Sequence, residues 1–161
     1  MRIEKLQKLL KKSDKEAIII KNRGNKKYFG SLGGSGIYLV VTPSSQVQFF
    51  DGRYRQEIKD LTGGFENFEV PQGSYLPKII EWLHQQKIKN LAIESDGLSI
   101  KEYSCLSETF NVTIWSSQIQ QLRAIKSAEE IQLIKNACTM TDEIFAELLP
   151  SIRVGMSAVS Y

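Results

Sequence analysis

The sequence predicts an α/β domain in which helices flank a mixed β-sheet, followed by a long C-terminal helix. Short apolar runs of strand length alternate with amphipathic segments of helix length between residues 2 and 115. The second and third of these runs are separated only by a turn at residues 43–46, which indicates an antiparallel hairpin. Beyond residue 123 the apolar residues follow a helical period for about six turns.

Hydrophobic periodicity predicts each element in turn. The first helix runs from residue 2 to about residue 12, with leucines and Ile3 on one side and lysines on the other. Residues 17–20 form a continuous apolar run ending in three isoleucines, which is typical of a strand buried on both faces. The remaining strands are predicted at 37–42, 47–51, 65–70, 91–94 and 112–115, and the remaining helices of the domain at 53–61, 75–86 and 99–109.

A glycine-dense connection, residues 21–36, joins the first two strands. Its spacing, Gly30-x-x-Gly33-Gly34-x-Gly36, matches neither common phosphate-binding pattern, and a strand follows it rather than a helix N-terminus. We therefore interpret it as a connection that needs positive φ or close backbone approach, for which glycine carries no Cβ penalty.

Composition places the chain among soluble globular proteins of one ordinary domain. It has 161 residues, 42% hydrophobic and 24% charged, with a net charge of +3. The lysines near the start are interpreted as a solvated helix face rather than a nucleic-acid surface, because no aromatic residues interleave with them. Without an apolar leader or a long apolar run, the chain is predicted to be cytoplasmic, with no membrane partner. Cys105 and Cys138 are predicted to be reduced thiols.

Catalytic constellations are easier to exclude than to find. His84 is the single histidine, so the usual zinc ligand spacings cannot be assembled, although a carboxylate site stays open in principle. The run Asp51-Gly-Arg53-Tyr54 can anchor a loop locally or meet a carboxylate ligand through the arginine fork. Local anchoring is the favoured interpretation.

Three separated segments follow one pattern in the same order. The first is Asn25-Lys-Lys-Tyr28-Phe-Gly, the second is Phe50-Asp-Gly-Arg-Tyr54, and the third is Arg123-Ala-Ile-Lys-Ser-Ala-Glu-Glu130 with its helical continuation. Together they resemble the Xaa-Pro aminopeptidase, prolidase and creatinase family, the pita-bread metallopeptidases. The resemblance implies that residues 1–122 form a creatinase-like N-terminal domain with a ribonuclease H-like fold. It also implies that residues 123–161 form a linker and the first helix of a catalytic domain.

The same resemblance carries expectations about function. The family uses two divalent metal ions, manganese being the expected one, held by two Asp, one His and two Glu downstream of this chain. No residue here is therefore assigned a catalytic or metal-binding role, no cofactor is expected in the 161-residue chain, and the chain alone is expected to be inactive. The longer protein is expected to be a homodimeric Xaa-Pro aminopeptidase that acts on proline-containing peptides and binds no nucleic acid. Candidate interface or active-site-entrance positions are Asn25, Tyr28, Asp51, Arg53 and Tyr54.

Three alternatives stay open. The longer protein could be an Xaa-Pro dipeptidase (prolidase) or a creatinase-like amidinohydrolase on the same scaffold. From another functional class, the chain could be a non-catalytic dimerisation or binding module.

The long helix carries its own prediction. Ser127 and Glu130 have the spacing of a capping box, and Ile131, Ile134 and Phe145 recur on one face. Since an amphipathic helix of this length needs a partner for its apolar face, in this chain alone it should pack against a second copy, swap or be poorly ordered.

Overall fold

The architecture is taken from a computed structural model that describes residues 2–61 and 64–157. The helices are α1 (Arg2–Lys11), α2 (Arg23–Tyr28), α3 (Arg55–Lys59), α4 (Tyr75–Gln85), α5 (Ile100–Ser107), α6 (Ser116–Ala124) and α7 (Ala128–Leu148). The strands are β1 (Ala17–Ile20), β2 (Ile37–Val41), β3 (Gln46–Phe50), β4 (Glu66–Glu69), β5 (Asn90–Ile93) and β6 (Asn111–Ile114). Short 3₁₀ turns lie at Gly52–Tyr54 and Leu149–Ser151.

Within the described residues, six strands form one mixed sheet in the order β4-β3-β2-β1-β5-β6. The β2–β3 hairpin is antiparallel, and so is the pairing of β1 with β2. The pairs β3–β4, β1–β5 and β5–β6 are parallel. The predicted mixed sheet and its antiparallel hairpin are therefore confirmed.

The core occupies both faces of the sheet because successive strand residues point to opposite sides. On one face, Ala17 and Ile19 of β1 pack with the apolar residues of α4 and α5, including Trp82 and Leu106. On the other face, Ile18 and Ile20 pack with α1 and α6. All four residues of β1 have no exposed surface, which confirms the strand buried on both faces.

Two helices were missing from the sequence prediction. Helix α2 lies inside the segment that we predicted as a glycine-dense connection, where Gly24 and two lysines hide any apolar period. The Asn22 side chain caps it by accepting from the amides of Gly24 (2.9 Å) and Asn25 (3.1 Å). Helix α6 covers the stretch where the sheet pattern was predicted to end. It buries Ile119, and its only other apolar anchor is the half-buried Leu122, which is too short a period to detect.

The chain divides into two compact units, residues 1–123 and 124–161, and the last four residues of the second lie outside the described part. In the second unit, the predicted capping box is present: Ser127 Oγ accepts from the Glu130 amide, and Glu130 accepts from the Ser127 amide at 2.8 Å. The helix is complete, with Ile131, Ile134 and Phe145 exposed by 44%, 51% and 60%. Packing against a second copy, swapping and poor order in solution stay predictions, since the structure holds one chain.

Among the helices that the structure describes, none combines the length and apolar character needed to cross a membrane. Cys105 and Cys138, both within the described part of the chain, are free thiols.

Candidate functional site

The run Asp51-Gly-Arg53-Tyr54 forms a closed side-chain cluster at the end of β3. Asp51 is 2% exposed, and it accepts from Arg53 Nε at 2.9 Å and from Arg53 Nη2 at 2.7 Å. Its Oδ1 also caps the following 3₁₀ turn by accepting from the Arg53 amide, and its Oδ2 accepts from the Tyr75 hydroxyl. The arginine fork that could have met a ligand carboxylate is thus occupied by Asp51. The local anchoring favoured by the sequence is what the structure shows.

Charge reinforces this cluster. The hydrogen bonds from Arg53 hold the pKa of Asp51 well below its ordinary value, against burial, which acts in the opposite direction. The same ion pair raises the pKa of Arg53. Since 54% of the Arg53 side chain is exposed, this arginine has one side committed to Asp51 and the other side open to solvent. Tyr54 is half-buried under the Arg53 guanidinium, whose carbon lies 5.4 Å from the ring centroid.

The glycine-dense connection packs directly on this cluster. A Cβ on Gly36 would lie 2.5 Å from Asp51 Oδ2 and 2.7 Å from both Arg53 Nη2 and Tyr75 Oη. Gly30 has a φ of +89°. Both reasons that the sequence suggested for the glycines, close approach and positive φ, are therefore present.

Asn25 belongs to a second cluster, centred on the buried carboxylate of Glu94. Glu94 follows β5, is 2% exposed, and accepts from the backbone amides of Lys21 (2.8 Å) and Asn22 (2.9 Å) and from Asn25 Nδ2. Asn25 Oδ1 accepts in turn from Arg123 Nη1 at 2.6 Å. Burial raises the pKa of Glu94, and the three hydrogen bonds oppose that rise. This chain of contacts fixes α2 to the end of β5 and to α6.

Tyr28 also contacts the end of α6. Its hydroxyl donates to the Leu122 carbonyl at 2.9 Å, and two guanidinium groups contact its ring, with the Arg2 carbon at 4.9 Å and the Arg123 carbon at 5.9 Å from the centroid. Asn25 and Tyr28 therefore share Arg123 as a partner. The structure groups the candidate residues as Asn25 with Tyr28, and Asp51 with Arg53 and Tyr54.

A third polar cluster joins β1, β2 and α5. Glu102 accepts from Lys21 Nζ at 2.8 and 3.1 Å, from the Tyr38 hydroxyl, and from the amide and hydroxyl of Ser99. Burial alone would raise the pKa of Glu102, but these hydrogen bonds outweigh it and lower the pKa to about 2.

We expect this lowered pKa to appear as acid sensitivity. A carboxylate whose folded-state pKa is depressed contributes stability that is complete above its unfolded value of 4.5 and is lost as the pH falls towards about 2. Discounted for its partial exposure, the contribution at neutral pH is about 1–2 kcal/mol. Urea unfolding between pH 7 and pH 2 gives the free energy of unfolding of each protein. The values for the wild type and Glu102→Gln should converge at the acid end, whereas the value for the exposed Glu108→Gln should follow the wild type throughout. A constant difference down to pH 2 would contradict the assignment.

The acidic side chains do not suit a metal. Asp51, Glu94 and Glu102 are each committed to arginine, amide or lysine donors, so their lone pairs face hydrogen-bond donors. Across residues 2–61 and 64–157, no group of three or more His, Cys, Asp or Glu side chains is arranged to hold an ion.

The fold and motifs can now be compared with known proteins. Residues 2–125 match the family model described as the Creatinase/Prolidase N-terminal domain. The chain belongs to this family. The match covers the sheet, the glycine-dense connection, the Asp51 cluster and α6, so the resemblance inferred from three short segments is confirmed.

Curated relatives of this creatinase/prolidase N-terminal domain are peptidases or proteins named as such. A peptidase of Bacillus subtilis (strain 168), described as uncharacterized, is 25% identical over 163 residues, covering 99% of this chain and 46% of its own length. A protein of Mycoplasma genitalium, assigned provisionally by its name to the Xaa-Pro aminopeptidases, is 26% identical and is covered over 43% of its length. The chain thus spans about half the length of the curated relatives it matches.

Solved structures share the architecture. An Xaa-Pro dipeptidase from Bacillus anthracis superposes with a TM-score of 0.85 at 23% identity, over 99% of this chain and 45% of that one. An X-Pro aminopeptidase from Thermotoga maritima superposes with a TM-score of 0.83 at 25% identity, over 99% of this chain and 46% of that one. These likenesses confirm the predicted fold, and the two neighbours differ in the activity that their names state.

All five candidate residues lie in polar clusters of the structure, but sequence reasoning missed the residue that organises one of these clusters. Glu94 was predicted only as the end of a strand. The available signal was its position, since an acid directly after a fully apolar run lies at a strand end where neighbouring loops converge. Whether the five candidates serve an interface or an active-site entrance stays a prediction.

Proposed function

We propose that this chain is the N-terminal, non-catalytic domain of a metal-dependent Xaa-Pro aminopeptidase, followed by the first helix of the catalytic domain. The observation that carries the proposal is coverage: almost the whole chain aligns with a little under half of Xaa-Pro peptidases, through the family's N-terminal domain and on to α7. The remaining half of such an enzyme would supply the catalytic residues. Two divalent metal ions, which we propose to be manganese, would activate water and polarise the peptide carbonyl there.

In this proposal, the domain described above supports assembly and borders the active-site entrance of a cytoplasmic homodimer. Arg53 suits such a position because its guanidinium is held by Asp51 while half of its side chain faces solvent. Asn25 and Tyr28 suit a supporting role, because their contacts end at Leu122 and Arg123, the last residues of the first unit. The cytoplasmic location is supported by the unpaired cysteines.

A dipeptidase is the second candidate, favoured by the Bacillus anthracis Xaa-Pro dipeptidase among the structural neighbours. The two candidates predict different substrates. An aminopeptidase accepts Xaa-Pro peptides with further residues after proline, whereas a dipeptidase is restricted to Xaa-Pro itself.

Peptide hydrolysis tests the proposal directly. The 161-residue chain with Mn²⁺ should release no amino acid from Ala-Pro or Ala-Pro-Ala, whereas the longest product of its gene should cleave Ala-Pro-Ala with release of alanine. Turnover by the 161-residue chain would overturn the non-catalytic assignment. Cleavage of Ala-Pro alone by the longer product would establish the dipeptidase, and creatine hydrolysis would establish an amidinohydrolase. A gene product that ends at Tyr161 and forms dimers without any turnover would establish the binding module.

A further inference from the structure

A basic cavity lies between α2, the following loop at residues 32–35 and the 3₁₀ turn after β3. Its volume is about 580 Å³, within the range of small-molecule sites. Among the described residues that line it, the basic ones are Lys21, Arg23, Lys26 and Lys27, the acid is Glu57, and Tyr54 supplies an aromatic wall. Positive charge therefore predominates at this cavity.

Lys26 is the unusual member of the lining. Its side chain is fully buried, and its Nζ donates to the carbonyls of Ile37 (2.7 Å) and Gly34. No carboxylate of the described residues lies within ion-pairing distance of it, so the ammonium is held by neutral acceptors alone. Because the side chain has no exposed surface, the ammonium acts on the cavity through its charge rather than by contact. The charge of Glu94 offsets the cost of burying this cation only in part, and an anion in the adjoining cavity would relieve it further.

Arg23 and Lys27 bring two further cations to the same cavity, one turn apart on α2. A Cβ on Gly33 would lie 2.8 Å from Lys27 Cε and 3.0 Å from Arg23 Cγ, so the missing side chain lets both aliphatic stems lie against the loop. Both side chains lack a hydrogen-bond or ion-pair partner within the described part of the chain. Lys21 differs, because Glu102 already holds its ammonium, and it contributes charge only.

From these contacts we propose that the cavity binds a phosphate-bearing small molecule, with Arg23 and Lys27 as its phosphate ligands and Lys26 as a buried positive charge that attracts the phosphate without contact. The chemistry favours phosphate over a single carboxylate, because a dianion with several acceptor oxygens can bind the Arg23 fork and the Lys27 ammonium together. The cavity is larger than inorganic phosphate, which leaves room for the organic part of a phosphate ester. The ligands are side chains of α2, so the proposal does not require the phosphate-loop geometry that the glycine spacing lacks.

Such a site goes beyond the proposed peptidase role, which involves no phosphate. It would give the N-terminal domain a site at which a phosphorylated metabolite could regulate the protein. Its test is independent of catalysis, because binding can be measured on the 161-residue chain whether or not a longer product is active.

Calorimetric titration at constant ionic strength tests the proposal with four probes: inorganic phosphate, pyrophosphate, AMP and adenosine. We expect saturable binding of AMP and pyrophosphate with a Kd below about 1 mM, weaker binding of phosphate, and none of adenosine. Tighter binding of pyrophosphate than of AMP would identify the phosphates as the main ligand group, and the reverse order would show that the organic part contributes. Equal binding of adenosine and AMP, or no saturation by any probe, would overturn the proposal.

Variants locate the site. Arg23→Ala and Lys27→Ala remove exposed head groups without touching the core, and each should weaken AMP binding about tenfold. Lys89→Ala removes an exposed lysine just before β5, at the opposite end of that strand from Glu94, and should change the affinity less than about twofold. Binding that is unaffected by both α2 variants would refute the assignment, and so would equal weakening by all three variants, which indicates only non-specific attraction.

A pH series adds a readout specific to Lys26. Burial lowers the pKa of Lys26 to about 8, with the charge of Lys21 acting in the same direction and that of Glu94 opposing it. Arg23, Lys27 and Glu57 also face the cavity. Because only the protonated ammonium attracts the phosphate, AMP affinity should fall by up to tenfold per pH unit above about pH 8. Affinity that stays constant from pH 7 to pH 9.5 would exclude a contribution of the Lys26 charge to binding.

Discussion

Replacement of Glu94 by alanine is expected to lower the free energy of unfolding by about 3 kcal/mol. The carboxylate accepts from the amides of Lys21 and Asn22 and from Asn25 Nδ2, and it is 2% exposed. Each donor left without a partner in a buried position costs about 1–3 kcal/mol. Removal of the buried charge, whose desolvation raises the Glu94 pKa, returns part of that cost.

The matched control is Glu16→Ala. Glu16 also accepts from two backbone amides, those of Lys89 (2.6 Å) and Asn90 (2.8 Å), but it is half-buried, so water can replace the lost acceptor. We expect a loss of about 1 kcal/mol there. Urea unfolding followed by circular dichroism measures both variants. Equal losses would mean that burial of Glu94 adds nothing, and the central role given to this carboxylate would then be wrong.

Replacement of Gly36 by alanine is expected to cost about 2–3 kcal/mol, because the added methyl group has no space. The atoms it would meet, Asp51 Oδ2, Arg53 Nη2 and Tyr75 Oη, bind one another, so none can move aside without breaking the ion pair or the hydrogen bond. Gly36 is also buried, which prevents the loop from swinging outward at no cost.

Gly24→Ala is the control for this substitution. The nearest heavy atom to its added Cβ is Asn22 Oδ1 at 3.4 Å, an ordinary contact, and Gly24 lies within α2. Alanine in a helix is favoured over glycine by about 0.5–1 kcal/mol, so this variant should be neutral or slightly more stable. The unfolding temperatures of both variants, measured by thermal unfolding, compare their stabilities with that of the wild type. A Gly36→Ala protein as stable as Gly24→Ala would show that the glycine connection tolerates a side chain against the Asp51 cluster.

Much of the fold follows from the pattern of apolar residues. The run at residues 17–20 indicates a strand covered on both sides, and the structure buries Ile18 and Ile19 in opposite layers. The spacing of Ser127 and Glu130 likewise predicts where α7 begins, since a capping box is a local arrangement that needs no tertiary partner. Local and periodic signals of this kind can be read without coordinates.

The candidate site was less accessible to such reasoning, because its contacts join distant residues. Glu94 meets Asn25 across 69 positions, and Tyr28 meets Leu122 across 94. The apolar period also fails at α2, where Asn22 provides the start and tertiary packing rather than amphipathicity supplies the support. Lys26 illustrates the same limit, since a lysine in a polar segment indicates an exposed residue, and only the carbonyls of Gly34 and Ile37 explain its burial.

The position of β1 in the sheet has a consequence for synthesis on the ribosome. Its antiparallel neighbour β2 follows within about twenty residues, so the order β4-β3-β2-β1 can assemble early. Its parallel neighbour β5 begins only at Asn90, and until that segment emerges, the other edge of β1 exposes unpaired amides and carbonyls beside three isoleucines. An arrested chain that ends before β5 is therefore expected to expose this edge of β1 and to aggregate more readily than a chain that includes β5.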